Sequence, residues 1–348
     1  MKRFSNAILD FAIACREAQG PGTLSFLWSA DTHFQRTDNH VWGADPELIE
    51  EVCDIANLTD TDFVTVAGDL VNGYYDLTHQ KRDLFELCRL MRQRCKAPLM
   101  LTMGNHDDNA WYSSGEASRK DYGGTEHVLC KERWYSIALG SSIDDFVYDE
   151  ANPWGGWYYK DFKRSKIRVI VLTTTDLPYI ENPDKSLRYY GQWTYGFRQQ
   201  QLEWLADKGL RFDEEGWAVI TITHVSYAAL ALAIPGEKLP YNSEIVCGLL
   251  DCFKRRTRGR FEGANPDFPA RISCDFGNNP SNEFIASFNG HIHSDLQSEE
   301  NGILSLSTED LVGHKAFDIV TIDRGGRQII CKKYNDGPRP ERDRLIRY

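Results

Sequence analysis

The stretch Pro98-Leu-Met-Leu-Thr-Met103 runs directly into Gly104-Asn105-His106-Asp107. The apolar part has the length and composition typical of a buried strand, and Gly104 marks its end. Asn105 and His106 follow at once. An amide oxygen can bind a metal ion, and an imidazole can move a proton. The stretch therefore predicts a strand that delivers two chemically useful side chains to the edge of a sheet.

Four other stretches share this build, because each places polar side chains after an apolar, β-rich run. They are Asp31-Thr32-His33, Gly68-Asp69, His224 in Thr223-His224-Val225-Ser226, and Gly290-His291-Ile292-His293. Ligands of open α/β sheets bind beyond the carboxyl ends of the strands, so we expect these side chains to meet. Five of the nine histidines fall in the five stretches, a concentration that scattered core or surface histidines would not produce.

The hydrophobic pattern predicts strands that alternate with helices in the first third of the chain. The predicted strands are 23–30, 63–67, 98–103, 166–175, 217–223, 283–289, 303–307, 316–323 and 327–334. Helical spacing appears before Gly20, over 46–57 after the N-cap signal Asp45-Pro46, over 78–95 and over 200–205. This order is typical of a parallel or mixed sheet with helices on its faces.

Composition is that of an ordinary globular protein, with 348 residues, 41% hydrophobic and 26% charged. The net charge of −11 argues against broad nonspecific binding to nucleic acid. No apolar stretch approaches the ~18 residues that span a membrane, and Asp10, Arg16 and Glu17 interrupt a candidate signal peptide. Nine cysteines without a Cys-x-x-Cys pair fit reduced thiols. We therefore predict a cytoplasmic protein without a membrane partner.

The mixture of imidazole, carboxylate and amide groups indicates which metals the site would take. It suits Mn, Fe, Zn or Co better than Mg or Ca, which prefer oxygen ligands alone. Two ions ~3.5–4 Å apart can grip a phosphate and create a hydroxide nucleophile at neutral pH. A carboxylate is the natural bridge between them, and Asp69 beside Gly68 could approach both.

The five stretches, in this order, resemble the motifs of the calcineurin-like metallophosphoesterase superfamily. Its pattern is Asp-x-His, Gly-Asp, Gly-Asn-His-Asp/Glu, a lone His, and Gly-His-x-His, and the resemblance spans about residues 24–320. It implies an α/β fold, a four-layer α/β/β/α sandwich with two central mixed β-sheets. It also implies seven metal ligands: Asp31, His33 and His293 at one ion, Asn105, His224 and His291 at the other, and Asp69 bridging the two.

The resemblance further implies a mechanism. A water or hydroxide between the ions would attack phosphorus in line, and His106 would act as general acid toward the leaving oxygen. One departure limits the branch of the superfamily. Ser/Thr protein phosphatases carry Gly-Asp-x-Val-Asp-Arg-Gly, whereas this chain has Asn72 and Gly73 at the end of Gly68-Asp69-Leu-Val-Asn72-Gly73. That weighs against a protein phosphatase and leaves open whether Asp69 or Asp107 orients His106.

The leading hypothesis is a dinuclear metal-dependent phosphoesterase for a small phosphodiester or phosphomonoester. One alternative is a nuclease that contacts DNA or RNA through the basic run 254–260. A second is a non-catalytic binding scaffold on the same fold. An all-helical metal phosphohydrolase is disfavoured, because β-rich runs precede the motifs. The oligomeric state stays open.

The domain organisation expected from the sequence is one phosphoesterase domain over 23–335, with a packed N-terminal helix in 1–22 and a C-terminal tail over 336–348. Long connections at about 108–165 and 227–282 are expected to be insertions. Aromatic residues gather at 152–159 and 177–197. These aromatics are expected either to pack inside the insertions, which we favour, or to form a lip over the active site.

Overall fold

The computed structural model describes residues 4–36, 43–110 and 124–348. Strands are numbered along the chain, and two large mixed sheets contain most of them. The six-stranded sheet has the order β15-β14-β13-β1-β2-β3. Its strands are β1 (Leu24–Ser29), β2 (Phe63–Ala67), β3 (Leu99–Thr102), β13 (Ala316–Asp323), β14 (Gln328–Asn335) and β15 (Arg344–Arg347).

The second sheet has seven strands, in the order β11-β12-β10-β7-β6-β5-β4. They are β4 (Val147–Tyr148), β5 (Tyr158–Phe162), β6 (Ile167–Val171), β7 (Ala218–Ile222), β10 (Glu283–Asn289), β11 (Gln297–Glu300) and β12 (Ile303–Ser307). A separate antiparallel hairpin consists of β8 (Arg258–Glu262) and β9 (Arg271–Asp275).

Parallel strands occupy the centre of both sheets. In the first sheet β1 pairs with β2, and β2 with β3, all in parallel. In the second, β6, β7, β10 and β12 are parallel neighbours. Parallel neighbours bring their carboxyl ends to one edge, so residues that follow these strands become neighbours in space.

Seven α-helices are described: α1 (Asn6–Glu17), α2 (Pro46–Thr59), α3 (Leu77–Arg94), α4 (Lys131–Ala138), α5 (Gln199–Trp204), α6 (Ser243–Arg255) and α7 (Leu311–His314). The predicted start of α2 is confirmed, because the side chain of Asp45 accepts a hydrogen bond from the Leu48 amide and Pro46 occupies the first turn. Across the three described ranges, no helix has both the length and the apolar character that crossing a bilayer requires.

The core forms in two parts, and together they make four layers. Between the sheets, the rings of Phe26 and Trp28 meet the ring of Phe288 edge-on, with centroids 5.1 and 5.0 Å apart. The same cluster reaches buried residues of α1, α2 and α3. The second cluster joins Val219 of β7 to α5 and α6, through residues such as Leu249. The predicted α/β/β/α sandwich is therefore confirmed.

Three regions contain more of the main sheets than the sequence indicated, and one of them is β11, which pairs antiparallel with β12. The connection after β3 supplies β4 and β5, and β5 pairs antiparallel with β6, so it widens the seven-stranded sheet. Its stretch 111–123 lies outside the described residues. Near the C-terminus, β15 pairs with β14. Only Ile346 of β15 is buried, so the strand leaves too short a hydrophobic pattern to be predicted.

A buried ionic network joins the two sheets. Asp318 of β13 accepts hydrogen bonds from Lys333 Nζ at 3.0 Å and Arg344 Nη2 at 3.1 Å. Thr308, after β12, donates to the same carboxylate at 2.8 Å, and Lys333 also reaches Asp295 beyond β10 at 2.6 Å. Asp318 and Lys333 are fully buried, so each needs the other's charge.

We expect Asp318→Asn to lower the free energy of unfolding at neutral pH by about 3 kcal/mol, because buried Lys333 and half-buried Arg344 both lose the carboxylate that they share, and Lys333 keeps only Asp295. Burial alone would raise the pKa of Asp318, but Lys333 and Arg344 outweigh it, and the pKa is lowered from 3.8. A carboxylate with a depressed folded pKa stabilises the protein above its unfolded pKa and loses that effect as pH falls through the folded value.

Urea unfolding at several pH values measures this effect. The difference between wild type and Asp318→Asn should shrink below about pH 4. Asp184→Asn serves as the control, because Asp184 is exposed and bonds only within a turn at Ser186. A difference that stays constant down to low pH would contradict the prediction.

Candidate metal centre

The strand ends of both sheets bring the predicted site residues together. Asp31 and His33 follow β1, Asp69 follows β2, and Asn105 and His106 follow β3. From the other sheet, His224 follows β7, while His291 and His293 follow β10. These residues are buried, apart from His293, whose side chain is 33% exposed. The centre therefore reaches solvent beside His293.

The first group of side chains contains Asp31, His33 and His293. The Asp31 Oδ1 atom lies 3.2 Å from His293 Nε2. One potential ligand atom from each of the three residues lies within 4.8 Å of the others. Two imidazole nitrogens and a carboxylate oxygen at this spacing could hold a transition-metal ion.

The second group is built around the amide of Asn105. Its Oδ1 atom lies 2.7 Å from His224 Nε2 and 3.0 Å from His291 Nδ1. The two imidazole rings approach each other edge-on, with centroids 5.1 Å apart. Three groups that the sequence separates by up to 186 positions thus converge on one point.

Asp69 lies between the two groups. Its Oδ1 atom accepts the backbone amide of His106 at 2.8 Å, which fixes the carboxylate. Its Oδ2 atom faces His224 Nε2 at 3.3 Å and His33 Nε2 at 3.7 Å. One oxygen thus faces a histidine from each group, which is the position that a bridging ligand requires.

Backbone strain marks the same residues. Five of the seven predicted ligands adopt left-handed backbone angles: Asp31 (φ 55°), His33 (φ 42°), Asp69 (φ 51°), His291 (φ 76°) and His293 (φ 51°). Each such residue costs about 1 kcal/mol or more, and such residues cluster at functional sites. The strands therefore end in turns of higher backbone energy, and these turns direct the side chains toward the centre.

Two glycines of the motifs allow the strand ends to approach closely. A Cβ atom on Gly68, whose φ is 91°, would lie 2.3 Å from Nδ1 of His224. A Cβ atom on Gly104 would lie 2.1 Å from the backbone nitrogen of Asp69. The glycines before Asp69 and Asn105 are thus steric requirements of the cluster.

Hydrogen bonds on the outer side of the cluster set the tautomers of two histidines. The Nδ1 atom of His224 donates to the carbonyl of Ala67 at 2.7 Å, and Nε2 of His291 donates to Glu237 at 2.9 Å. The remaining nitrogens then present lone pairs toward Asn105 Oδ1, which is also an acceptor. When both imidazoles are neutral, acceptors therefore face one another, and a proton or a metal ion between them relieves the repulsion, so this set of ligand atoms fits a metal ion.

The buried carboxylates attract positive charge in the metal-free protein as well. Burial lowers the pKa of His224, but Asp69 raises it more strongly, to about 10. Burial likewise lowers the pKa of His293, and Asp31 raises it to about 9. Protons on these imidazoles balance Asp31 and Asp69, and two metal ions would take over that role.

His106 is oriented by the backbone. Its Nδ1 atom contacts the carbonyl oxygen of Asn72 at 2.8 Å, and its Nε2 atom points toward Asp69 Oδ2 at 3.9 Å. Asp107 has another task, because it accepts the backbone amides of Leu70, Val71 and Gly104. The main-chain carbonyl of Asn72 therefore contacts the ring nitrogen of His106 that a carboxylate was expected to orient. The hydrogen bonds of Asp107 hold the end of β3 against the end of β2.

Several residues around the centre lie outside the five sequence stretches that predicted it. Glu237 and Tyr195 both approach His291 Nε2, at 2.9 and 3.4 Å, and the Tyr195 hydroxyl donates to Glu237 at 2.8 Å. Asp310 lies 3.7 Å from His293 Nδ1. No spacing rule links these residues to the histidines, because loops of unrelated length bring them there.

Comparisons with known proteins agree with this architecture. The family model for calcineurin-like phosphoesterases matches residues 24–295. A dimetal phosphatase structure from Danio rerio has 14% identity and a TM-score of 0.51, covering 94% of this chain and 100% of its own. A yellow lupin purple acid phosphatase has 12% identity and a TM-score of 0.47, covering 95% and 53%. At 14% identity, the likeness to the Danio rerio structure is one of fold alone. Comparison with curated protein sequences finds no match.

We expect Glu237→Leu to weaken binding of Mn²⁺ about 10- to 100-fold, because His291 loses the partner that directs its Nδ1 lone pair. Isothermal titration of the metal-free protein with Mn²⁺ measures the affinity. Glu300→Leu is the matched control, because Glu300 accepts the amides of Leu230 and Ala231 and so anchors the same segment. Equal losses in both variants would mean that Glu237 acts only by anchoring the loop.

Proposed function

Because the chain belongs to the calcineurin-like phosphoesterase family, we propose that it hydrolyses phosphoesters with two metal ions held at the converging strand ends. One observation carries the proposal. The buried carboxylate of Asp69 faces His33 on one side and His224 on the other. A carboxylate with that surrounding suits a bridge between two ions, and two ions suit a phosphoryl group.

In this proposal each ion has ligands from both sheets. The assignment is Asp31, His33 and His293 for one ion, Asn105, His224 and His291 for the other, and Asp69 for both. Mixed nitrogen and oxygen donors favour Mn, Fe or Zn. When bound, the ions would hold the phosphoryl group and lower the pKa of a water molecule enough for attack at neutral pH.

The side chains of the protein then have distinct tasks. Asp31 and Asp69 supply negative charge inside a buried site, and the outer hydrogen bonds of His224 and His291 fix the ligand directions. The exposed side of His293 marks where substrate would enter. Preorganised groups of this kind need no rearrangement at the moment of reaction.

His106 is proposed to protonate the leaving oxygen. The Asn72 carbonyl holds the Nδ1 proton, so the proton for transfer is the one on Nε2. Burial lowers the pKa of His106. A bound phosphate anion would raise that pKa and so favour the protonated imidazole. A carbonyl partner stabilises the cation less than a carboxylate does, which keeps the proton transferable.

The basic run 254–260 gives little support to a nuclease. The carbonyl of Lys254 accepts a hydrogen bond from Asn282, directly before β10, whereas His291 follows the other end of that strand. Seven strand residues span roughly 20 Å. Arg255 and Arg258 also pair with Asp251 and Asp275. The start of the run therefore lies near the amino end of β10, remote from the centre.

Hydrolysis of chromogenic esters tests the proposal. The protein should cleave bis-p-nitrophenyl phosphate, p-nitrophenyl phosphate or both when Mn²⁺ is added, and the ratio of kcat/KM values ranks diester against monoester. A chelator should abolish the activity. A binding scaffold would hold metal without turnover. If neither ester is hydrolysed with Mn, Fe or Zn, the proposal that the protein is a phosphoesterase is refuted.

We expect His106→Ala to reduce kcat about 10²- to 10⁴-fold while both metal ions stay bound, because His106 moves a proton rather than binding an ion. Activity assays and elemental analysis on the same sample measure the two quantities. His79→Ala serves as the control, because His79 lies on α3 and pairs with Asp76. Loss of metal in His106→Ala would overturn its proposed role.

We expect Asp69→Asn to lower the occupancy of both ions, because an amide offers one neutral oxygen where a carboxylate offers two charged ones. Elemental analysis after dialysis against trace Mn²⁺ measures occupancy. Asp31→Asn is the comparison, since Asp31 is proposed to serve one ion and should mainly affect that one. Full occupancy in Asp69→Asn would disprove the bridge.

A further inference from the structure

A cavity of about 330 Å³ lies directly beside the candidate metal centre. Trp193, Tyr195, Glu237, Lys238 and Tyr241 are among the residues that line it. They come from two segments, one that follows β6 and one that precedes α6. The cavity is much larger than a phosphate ion and falls within the size range of small-molecule sites.

Two residues that line this cavity also contact His291, a proposed metal ligand. Glu237 Oε2 lies 2.9 Å from His291 Nε2, and the Tyr195 hydroxyl lies 3.4 Å from the same atom. On its other side, His291 Nδ1 lies 3.0 Å from Asn105. His291 thus has two residues of the cavity wall on one side of its ring and Asn105 on the other, which makes the cavity a neighbour of the centre.

Aromatic surface is exposed at this cavity, in contrast to most of the protein. The side chains of Trp193 and Tyr241 are 48% and 36% exposed, whereas Trp28, Trp134 and Trp157 are buried. The Tyr241 ring is held in place by stacking on Phe268, with centroids 4.6 Å apart. Aromatic side chains that line a cavity and still reach solvent are the kind of group on which a planar ligand can stack.

The charge of the cavity suits a phosphoester. Lys238 is exposed at its rim and offers a cation within an otherwise acidic protein. The carboxylate of Glu237 is occupied, because it accepts from His291, Tyr195 and the Ile234 amide. An aromatic group with an attached phosphate would therefore meet rings and a positive charge rather than an unpaired carboxylate.

Building on the proposed function, we propose that this cavity binds the organic group of the substrate and that this group is an aromatic ring, such as a nucleobase or an aryl ester. The phosphoryl group would then lie at the metal centre, with the ring against Trp193 or Tyr241. Stacking of a base on an aromatic side chain favours binding by roughly 10-fold or more. The substrate class follows: phosphoesters of nucleosides or aryl alcohols rather than of sugars alone.

Binding of two matched probes to the metal-loaded His106→Ala protein, in which hydrolysis is slowed, tests the inference. AMP and ribose 5-phosphate share a ribose 5-phosphate unit, and only AMP carries a base. Isothermal titration should give a Kd for AMP at least about 10-fold lower. Trp193→Ala and Tyr241→Leu should raise the Kd for AMP toward that for ribose 5-phosphate and leave the latter unchanged. Phe85→Ala is the control, since Phe85 is an exposed aromatic on α3.

The outcomes separate this inference from the proposed function. Equal affinity for the two probes, no binding of either, or an unchanged Kd for AMP in both cavity variants would overturn the cavity assignment. In that case, hydrolysis of the chromogenic esters would still support the proposed function. Conversely, base-dependent binding that needs Trp193, without hydrolysis of any ester, would support the cavity and refute the phosphoesterase.

Discussion

The structure depends on placing two carboxylates, Asp31 and Asp69, inside a closely packed site where they need positive partners. Burial penalises their charge, and the surrounding imidazoles offset that penalty by taking up protons at a pKa of about 9 for His293 and 10 for His224. The same arrangement offers metal ions a set of ligands that already face one another. The same buried carboxylates therefore attract protons and would attract metal ions.

The sheets supply this geometry through their parallel strands. Asp69 is adjacent to Asp31 and Asn105 because β1, β2 and β3 run side by side in the same direction. The close contact of Gly68 with His224 joins the second sheet to the first. Left-handed turns at the strand ends then aim the side chains inward, at a cost in backbone energy that the packed sheets can sustain.

Supporting groups outside the motifs refine the chemistry. Asn72 uses its carbonyl to orient His106, and Glu237 directs His291 from a loop between β7 and α6. Glu237 also forms part of the wall of the cavity that contains Trp193. A substitution at Glu237 should therefore disturb both the support of His291 and the wall of the cavity, because one residue contributes to both.

The sequence by itself determined most of the strand ends and the polar residues that follow them, because apolar runs followed by glycine and polar residues leave a local pattern. The four-layer fold was implied by the resemblance of the five ordered stretches to the calcineurin-like phosphoesterases. For the aromatics of 152–159 and 177–197 it favoured packing and left an exposed lip as the alternative; Trp157 is buried, whereas Trp193 is exposed. Only the tertiary structure decided that Glu237 contacts His291 and that Asp310 lies beside His293. The same holds for the contact of the Asn72 carbonyl with His106 and for the pairing of β15 with β14. These contacts join residues through loops whose length and path obey no periodicity, so no local signal encodes them.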